Sequence, residues 1–332
     1  MNESINVAFW SNQLCERGTE VAVYDYAHYN ETILNNKSII FYEKNNKFNK
    51  QKIIDKFNNR FVVFPVDNFS QVDEILLENK ITHIYIIKSG ENDGKFSKVA
   101  KNCIHCVFDC YSPHGEIYCS ISDCVKGNNG KYPVIPHMIG LPVHNNNMRE
   151  ELNIPKDSVV FGGYGGSDKF NIRFVQQVVY NIAKENPNIY FLFANFKKFC
   201  KQLPNIIHLQ TIYDLEKKVS FINTCDAMLW ARRDGETFGI SIGEFSTFNK
   251  PIIASKTGDL NHVHILKDKA LWYSNKNDLT DILLNFNPKI ESQKDWNAYR
   301  DYTPEKVMKI FYDVFLENKK IIELYPNIKN LI

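Results

Sequence analysis

The stretch DAMLWARRDGETFGISIGEFSTFNKPIIAS, residues 226–255, decides the fold. It opens with an apolar run, turns through Asp234-Gly235, continues at helical spacing and ends in a second apolar run behind Lys250-Pro251. Strand, helix and strand in that order make a βαβ unit, whose two strands lie parallel and are covered on both faces. One residue disturbs the pattern. Glu244 falls within an otherwise apolar helix, and burying an unpaired carboxylate is costly. Either that helix face meets water, or hydroxyls or positive charge sit against it.

The same alternation runs along most of the chain. INVAFW, SIIFYE, FVVFPV, THIYIIK, CIHCVFD and PVIPHMI read as strands in the first half; SVVFGGY, IYFLFANF, NIIHLQ, DAMLWAR, PIIAS and ALWYS follow in the second. Helical patterns separate them, which predicts an α/β architecture of two doubly wound, Rossmann-like domains facing a cleft. A length of 332 residues suits two domains at about 150 each. The seam is GLPVHNNNMREELNIPKDS, residues 140–158, with a short helix expected at MREEL. The expected domains are therefore 1–140 and 141–302, with a C-terminal helix over 303–332 packing back on the first. Thr303 as cap, Pro304 at the first helical position and Glu305 in the first turn start that helix well.

A net charge of +2 gives no reason to expect nucleic acid, for which a strongly basic face would be the footprint. No apolar run is long enough to span a membrane, and the start MNESINVAFW lacks the form of a signal peptide, so a cytoplasmic protein is expected. NKFNKQKIIDKFNNR carries Lys47, Lys50, Lys52 and Lys56 beside Ile53, Ile54 and Phe57. That pattern suits either a helix peripheral to an anionic membrane or a solvated face over an ordinary core stripe. Cys103, Cys106, Cys110, Cys119 and Cys124 share one segment with His105 and His114. A zinc site there lacks a second short-spaced ligand couple, so buried reduced thiols are the expectation.

Ligands of such sheets bind outside the carboxyl ends of the strands, where helix starts present free N–H groups. Three loops lie there. In SNQLCERGTEVAVYDYA, Gly18 permits a tight turn, Thr19 is a candidate cap and Glu20 enters the first turn. In FGGYGGSDKFNIRFV, Gly162, Gly163, Gly165 and Gly166 free the backbone to approach a ligand. Ser167 or Asp168 is expected to cap the next helix, placing Lys169 early in it, where a diphosphate would offset the conflict with the helix dipole. In RRDGETFGI, the amides of Phe238, Gly239 and Ile240 are first-turn donors, with Glu236 just ahead and Arg232 and Arg233 at the strand end.

HLQTIYDLEKKVSFINTCDAMLWARRDGETFGISIGEFSTFNKPIIASKTGDL resembles the donor-binding half of retaining glycosyltransferases of family 4, which have the two-domain GT-B fold. Glu236 and Glu244 match the family's E-x7-E signature, and Lys169 falls at its diphosphate-binding lysine. The resemblance is good from about residue 105 to 285 and thin over the first hundred residues. The family's arginine five residues before the lysine is Tyr164 here, and Arg17-Gly18 stands where a Gly-Gly pair is common.

The resemblance implies transfer of a sugar from a nucleotide diphosphate sugar to a hydroxyl acceptor on a glycan, a lipid-linked sugar or a small molecule, with retention and without a metal or other cofactor. Glu236 and His114, in the loop YSPHGE, would be the catalytic pair. Glu244, Lys169, Arg232, Arg233, Phe238, Gly239, Ile240, Gly165, Gly166, Gly18, Thr211 and Ile212 would hold the donor. Two alternatives stand beside it: a nucleotide-sugar epimerase of the same fold, and a catalytically silent nucleotide-sugar-binding protein.

Overall fold

A computed structural model describes residues 5–317. The chain divides into two compact units, Met1–Met138 with the segment from Tyr302 onward, and Ile139–Asp301. The part of the C-terminal helix expected beyond Glu317 lies outside the described residues.

The first unit is built on β1 (Asn6–Ser11), β2 (Lys37–Glu43), β3 (Val62–Val66), β4 (His83–Lys88), β5 (Lys101–Cys106) and β6 (Ile117–Ser120). They form one parallel sheet in the order β3-β2-β1-β4-β5-β6. Helices α1 (Gly18–Thr32), α2 (Gln51–Asn58) and α3 (Val72–Glu78) link the early strands. Phe9, Phe41, Tyr26 and Tyr85 are fully buried. The apolar stripe of α2 turns inward: Ile53 and Phe57 are buried, and Lys56 lies 4.2 Å from the Tyr24 ring centroid. The face a membrane-bound helix would offer to lipid is thus largely used by the unit's own core.

Three expectations fail in this unit. PVIPHMI is not a strand. Pro133 and Pro136 cannot donate to a ladder, and only a single bridge from Val134 to Ser120 forms. The segment is held instead by Ile135 N to Ser120 O at 2.9 Å and by the Tyr26 hydroxyl, which donates to Pro136 O at 2.7 Å. The sixth strand is IYCS, too short to stand out beside the polar loop before it. Gly18 also makes no special turn; it is the first residue of α1, after Arg17 at the cap position. Thr19 does not cap that helix, because its hydroxyl donates to Glu20 Oε1 at 3.0 Å.

His105 lies inside the core of this unit. Its Nε2 faces Ile135 O at 2.9 Å, an atom that only accepts, so Nε2 carries the proton and Nδ1 accepts from the Tyr85 hydroxyl at 2.8 Å. Burial, reinforced by the nearby His137, pushes its pKa down to about 3. A buried neutral histidine contributes stability above its unfolded pKa of about 6.5, and that contribution is lost as pH falls toward the folded value. At pH 5 the loss amounts to about 2 kcal/mol. Urea denaturation of the first unit should give a lower midpoint at pH 5 than at pH 7.5, with the difference reduced in His105→Gln. Identical midpoints at the two pH values would refute this.

The described end of the chain joins the same core. Thr303 accepts from Lys306 N at the start of the last α-helix, and a π-type turn over Tyr312–Leu316 follows Phe311. The Phe311 ring centroid lies 5.1 Å from Tyr26 and 5.7 Å from Tyr85.

The second unit contains β7 (Val159–Tyr164), β8 (Ile189–Ala194), β9 (Ile206–Leu209), β10 (Ala227–Leu229), β11 (Gly235–Glu236), β12 (Ile252–Ala254), β13 (Asp259–Leu260) and β14 (Leu271–Trp272). Its main sheet is parallel, ordered β14-β12-β10-β7-β8-β9, while β11 and β13 pair separately. The helices are α4 (Arg173–Glu185), α5 (Leu215–Thr224), α6 (Ile240–Thr247), α7 (Asn261–Leu266), α8 (Lys276–Asn285) and α9 (Pro288–Glu291). Phe161, Phe191, Phe193, Val178 and Val179 fill the core beneath α4. MREEL forms turns rather than a helix, ending at Asn153 with φ +54°. Across the described residues no helix is long and apolar enough to cross a membrane.

Candidate functional site

The loop between β10 and α6 is shaped by two left-handed glycines. Gly235, at φ +73°, lies where an added Cβ would be 2.1 Å from Asp259 N, so no side chain fits between β11 and β13. Gly239, at φ +84°, is the N-cap of α6. The helix thus starts at Ile240, two residues later than its Phe-Gly-Ile signature suggests. Neither the Gly239 nor the Ile240 amide meets an acceptor among the described residues. Phe238 is buried, and its carbonyl accepts from the Tyr299 hydroxyl at 2.7 Å, which anchors the turn.

Glu236 stands against this turn, its Cγ 3.3 Å from where a Gly239 Cβ would be. Its Oε2 accepts from Arg232 Nη1 at 2.8 Å and its Oε1 from Trp230 Nε1 at 3.1 Å. Burial raises its pKa, opposed by the charge of Arg232 and the bond from Trp230. The carboxylate is oriented from both sides, and each oxygen keeps capacity to accept another donor.

Glu244 is only 4% exposed, and the hydroxyl and positive charge against it come from the chain itself. Tyr164, at the end of β7, donates from its hydroxyl to Oε2 at 2.7 Å. Lys218, on α5, donates to Oε1 at 2.8 Å. Burial, then the adjacent carboxylate, raises the Tyr164 pKa well above the usual phenol value, so the phenol stays protonated. Tyr164 is thus a hydrogen-bond donor to Glu244.

Lys169 is not in a helix. Residues 171 and 172 are held to Ala231 O by their amides at 2.8 and 3.3 Å, and Phe170 packs among Phe193, Phe196 and Phe199. This extended segment delays α4 to Arg173, so Ser167 and Asp168 cap nothing and Lys169 sits in a turn, its N bonded to Gly166 O. The glycines before it divide by role. Gly162 and Gly163 lie inside β7, where a Cβ would meet Cys225 Sγ at 2.2 Å and Leu229 O at 2.9 Å; they serve packing. Gly165 and Gly166 form the loop, and Asn195 Nδ2 holds Gly165 O at 2.8 Å while its Oδ1 accepts from the Thr211 hydroxyl at 2.7 Å. Asn195 is a site element that the sequence reading missed, and its short polar side chain carried no motif. Ile212 follows Thr211 in an irregular segment.

The Lys169 ammonium is 3.4 Å from Asp234 Oδ2, and both side chains are exposed enough for water to screen the pair. Such a pair contributes about 0 to 1 kcal/mol and can exchange its partner for a phosphate. Lys169→Ala should therefore leave the melting temperature of the apoprotein within about 2 °C while weakening binding of a nucleoside diphosphate. Equal diphosphate affinity in the two proteins would remove Lys169 from the site.

Arg232 and Arg233 diverge. Arg232 turns to Glu236, whereas Arg233 lines a different cavity beside Lys256 and Arg173. His114 belongs to the first unit. Its Nδ1 faces Ser112 O at 2.6 Å and its Nε2 faces the Lys88 ammonium at 3.2 Å, which in turn pairs with Asp93 at 2.5 Å. Burial lowers its pKa, the neighbouring Lys88 charge adds to this, and the imidazole is neutral at pH 7. At the carboxyl end of the same sheet, Lys95 joins Glu43 at 2.6 Å and Asn12 at 2.8 Å.

No protein-family model matches the chain, and no curated protein matches it in sequence. Solved structures do match its fold. A glycosyltransferase from Rickettsia africae superposes with a TM-score of 0.68 at 13% identity, covering 96% of this chain and 99% of that one. Anabaena HepE, in complex with UDP-glucose, gives 0.64 at 13% identity over 98% and 100%. A Listeria monocytogenes chain assigned as UDP-N-acetylglucosamine 2-epimerase gives 0.60 at 12% over 95% and 97%. The two parallel-sheet, Rossmann-like units are those of the GT-B fold.

Proposed function

We propose that the chain is a retaining glycosyltransferase that moves a sugar from a nucleotide diphosphate sugar to a hydroxyl acceptor: a glycan, a lipid-linked sugar or a small molecule. The observation that carries this reading is Glu236, a doubly oriented carboxylate set against the Gly239 and Ile240 amides. One turn of chain thus offers an acceptor for sugar hydroxyls and donors for a diphosphate. Lys169, Arg232 and these amides meet the charge of the leaving diphosphate without a metal. Glu244 takes the ribose hydroxyls on the acceptor capacity that Tyr164 and Lys218 leave it, and the Gly165-Gly166 loop lets the backbone approach the phosphates. His114 is assigned to the reacting sugar as a neutral hydrogen-bonding group. In the reaction, the bond from the anomeric carbon to the phosphate oxygen breaks. The acceptor oxygen bonds that carbon on the same face, and the acceptor proton passes to the departing phosphate.

The first experiment is a thermal-shift panel of UDP, GDP, ADP and CMP with their sugar conjugates, starting with UDP-glucose because HepE binds it. At 100 times the dissociation constant a ligand adds about 2.7 kcal/mol, or roughly 5 to 10 °C for units of this size. A shift with one base, unchanged by EDTA, supports a metal-independent donor site; no shift with any nucleotide overturns it. An epimerase reading also fits the fold, and it predicts interconversion of the donor sugar with no acceptor present. NMR of the donor incubated alone separates the two activities.

A further inference from the structure

A cavity of about 580 Å³ opens at the carboxyl edge of the second sheet, between the start of α4 and the ends of β12 and β14. Its charged lining is Arg173, Arg233 and Lys256, and it contains no carboxylate. Phe174 and Tyr273, with ring centroids 5.9 Å apart, form an aromatic wall, and Ser255 supplies a buried hydroxyl. None of Glu236, Glu244 or Lys169 lines it.

The arginines of this chain make the site specific. Among the described residues Arg60, Arg149, Arg232 and Arg300 pair with carboxylates, and Arg17 lies over the Phe48 ring. Arg173 and Arg233 have no such partner, and both face this one cavity. Lys256 has no carboxylate either; it lies 5.1 Å from the Trp272 ring centroid. Three cations with no carboxylate partner among the described residues give this one hollow a positive potential that favours an anion. Guanidinium groups favour the forked geometry of phosphate, and the volume has room for an organic body beside it.

The geometry points to a second ligand site here, for the phosphate group of a small phosphorylated compound, separate from the donor site. Arg233, counted with the donor-binding residues in the sequence, belongs to this site instead. The inference does not depend on the glycosyltransferase reading.

The test is calorimetric titration of the full chain with inorganic phosphate and with glucose 6-phosphate, in wild type, Arg173→Glu, Arg233→Glu and Lys169→Ala. Both arginines are exposed, so charge reversal leaves the core intact. Each reversal should weaken this phosphate binding at least tenfold, whereas Lys169→Ala should retain the component that depends on Arg173 and Arg233. Tighter binding of glucose 6-phosphate than of phosphate, through the same arginines, identifies an organic phosphate; equal affinities identify the free anion. Absence of binding in wild type overturns the site. So does binding that survives both reversals but is lost in Lys169→Ala, since the anion then sits at the glycine loop.

Discussion

Glu236→Ala is expected to lower kcat/KM for the donor by about a hundredfold or more, the scale seen when one preorganised electrostatic contact to a transition state is removed. The carboxylate accepts from Arg232 and Trp230 at once, so its position is set before any ligand arrives. Truncation removes the acceptor proposed for the sugar, leaves the indole N–H without its partner and leaves the guanidinium only the longer pairing to Asp234 at 3.7 Å, which costs some stability. Glu236→Gln separates these effects. The amide oxygen can still accept from one partner and the shape is kept, but the negative charge is gone. If charge matters, Gln should be nearly as inactive as Ala while melting close to wild type. Initial rates with the donor found in the panel, read beside melting curves, decide it. Unchanged activity and nucleotide binding in Glu236→Ala would show that the site is elsewhere.

The second large effect is on stability. Lys218→Met should destabilise the second unit by about 3 to 5 kcal/mol, because it strands the Glu244 carboxylate in a buried position with only the Tyr164 hydroxyl. The melting temperature should fall on the order of 10 °C. Glu244→Gln in the Lys218→Met background removes the orphaned charge and should recover most of that loss. The double variant is the decisive measurement. A single variant as stable as wild type, or a double variant no better than the single, would mean that the carboxylate is not held by Lys218. The same pair bears on the proposed function, in which a ribose would share Glu244 with Tyr164 and Lys218.

Much of the architecture was legible in the residues. INVAFW and IYFLFANF announced strands because a parallel sheet is buried on both faces, and that demands unbroken apolar runs of strand length. The stripes of NIRFVQQVVYNIAKEN and NDLTDILLNF announced helices because one face of each packs on that sheet. The errors have local causes: prolines in PVIPHMI, a four-residue sixth strand, and a loop that holds Lys169 out of α4. The glycines of FGGYGG looked alike in sequence, yet two are required by neighbours packed against β7 and two form the loop.

By itself the sequence determined the α/β class, the two-unit division and the strand-turn-helix element that carries both glutamates, since these follow from periodicity over a few adjacent residues. Only the tertiary structure decided what those glutamates touch. Tyr164 and Lys218 reach Glu244 from 80 and 26 residues away, and neither pairing leaves a local pattern. Arg232 and Arg233 are neighbours in the chain, yet one faces Glu236 and the other a separate cavity. Burial patterns are imposed by the nearest residues along the chain, whereas a buried charge is satisfied by whichever donor the packing of distant elements brings within hydrogen-bond reach.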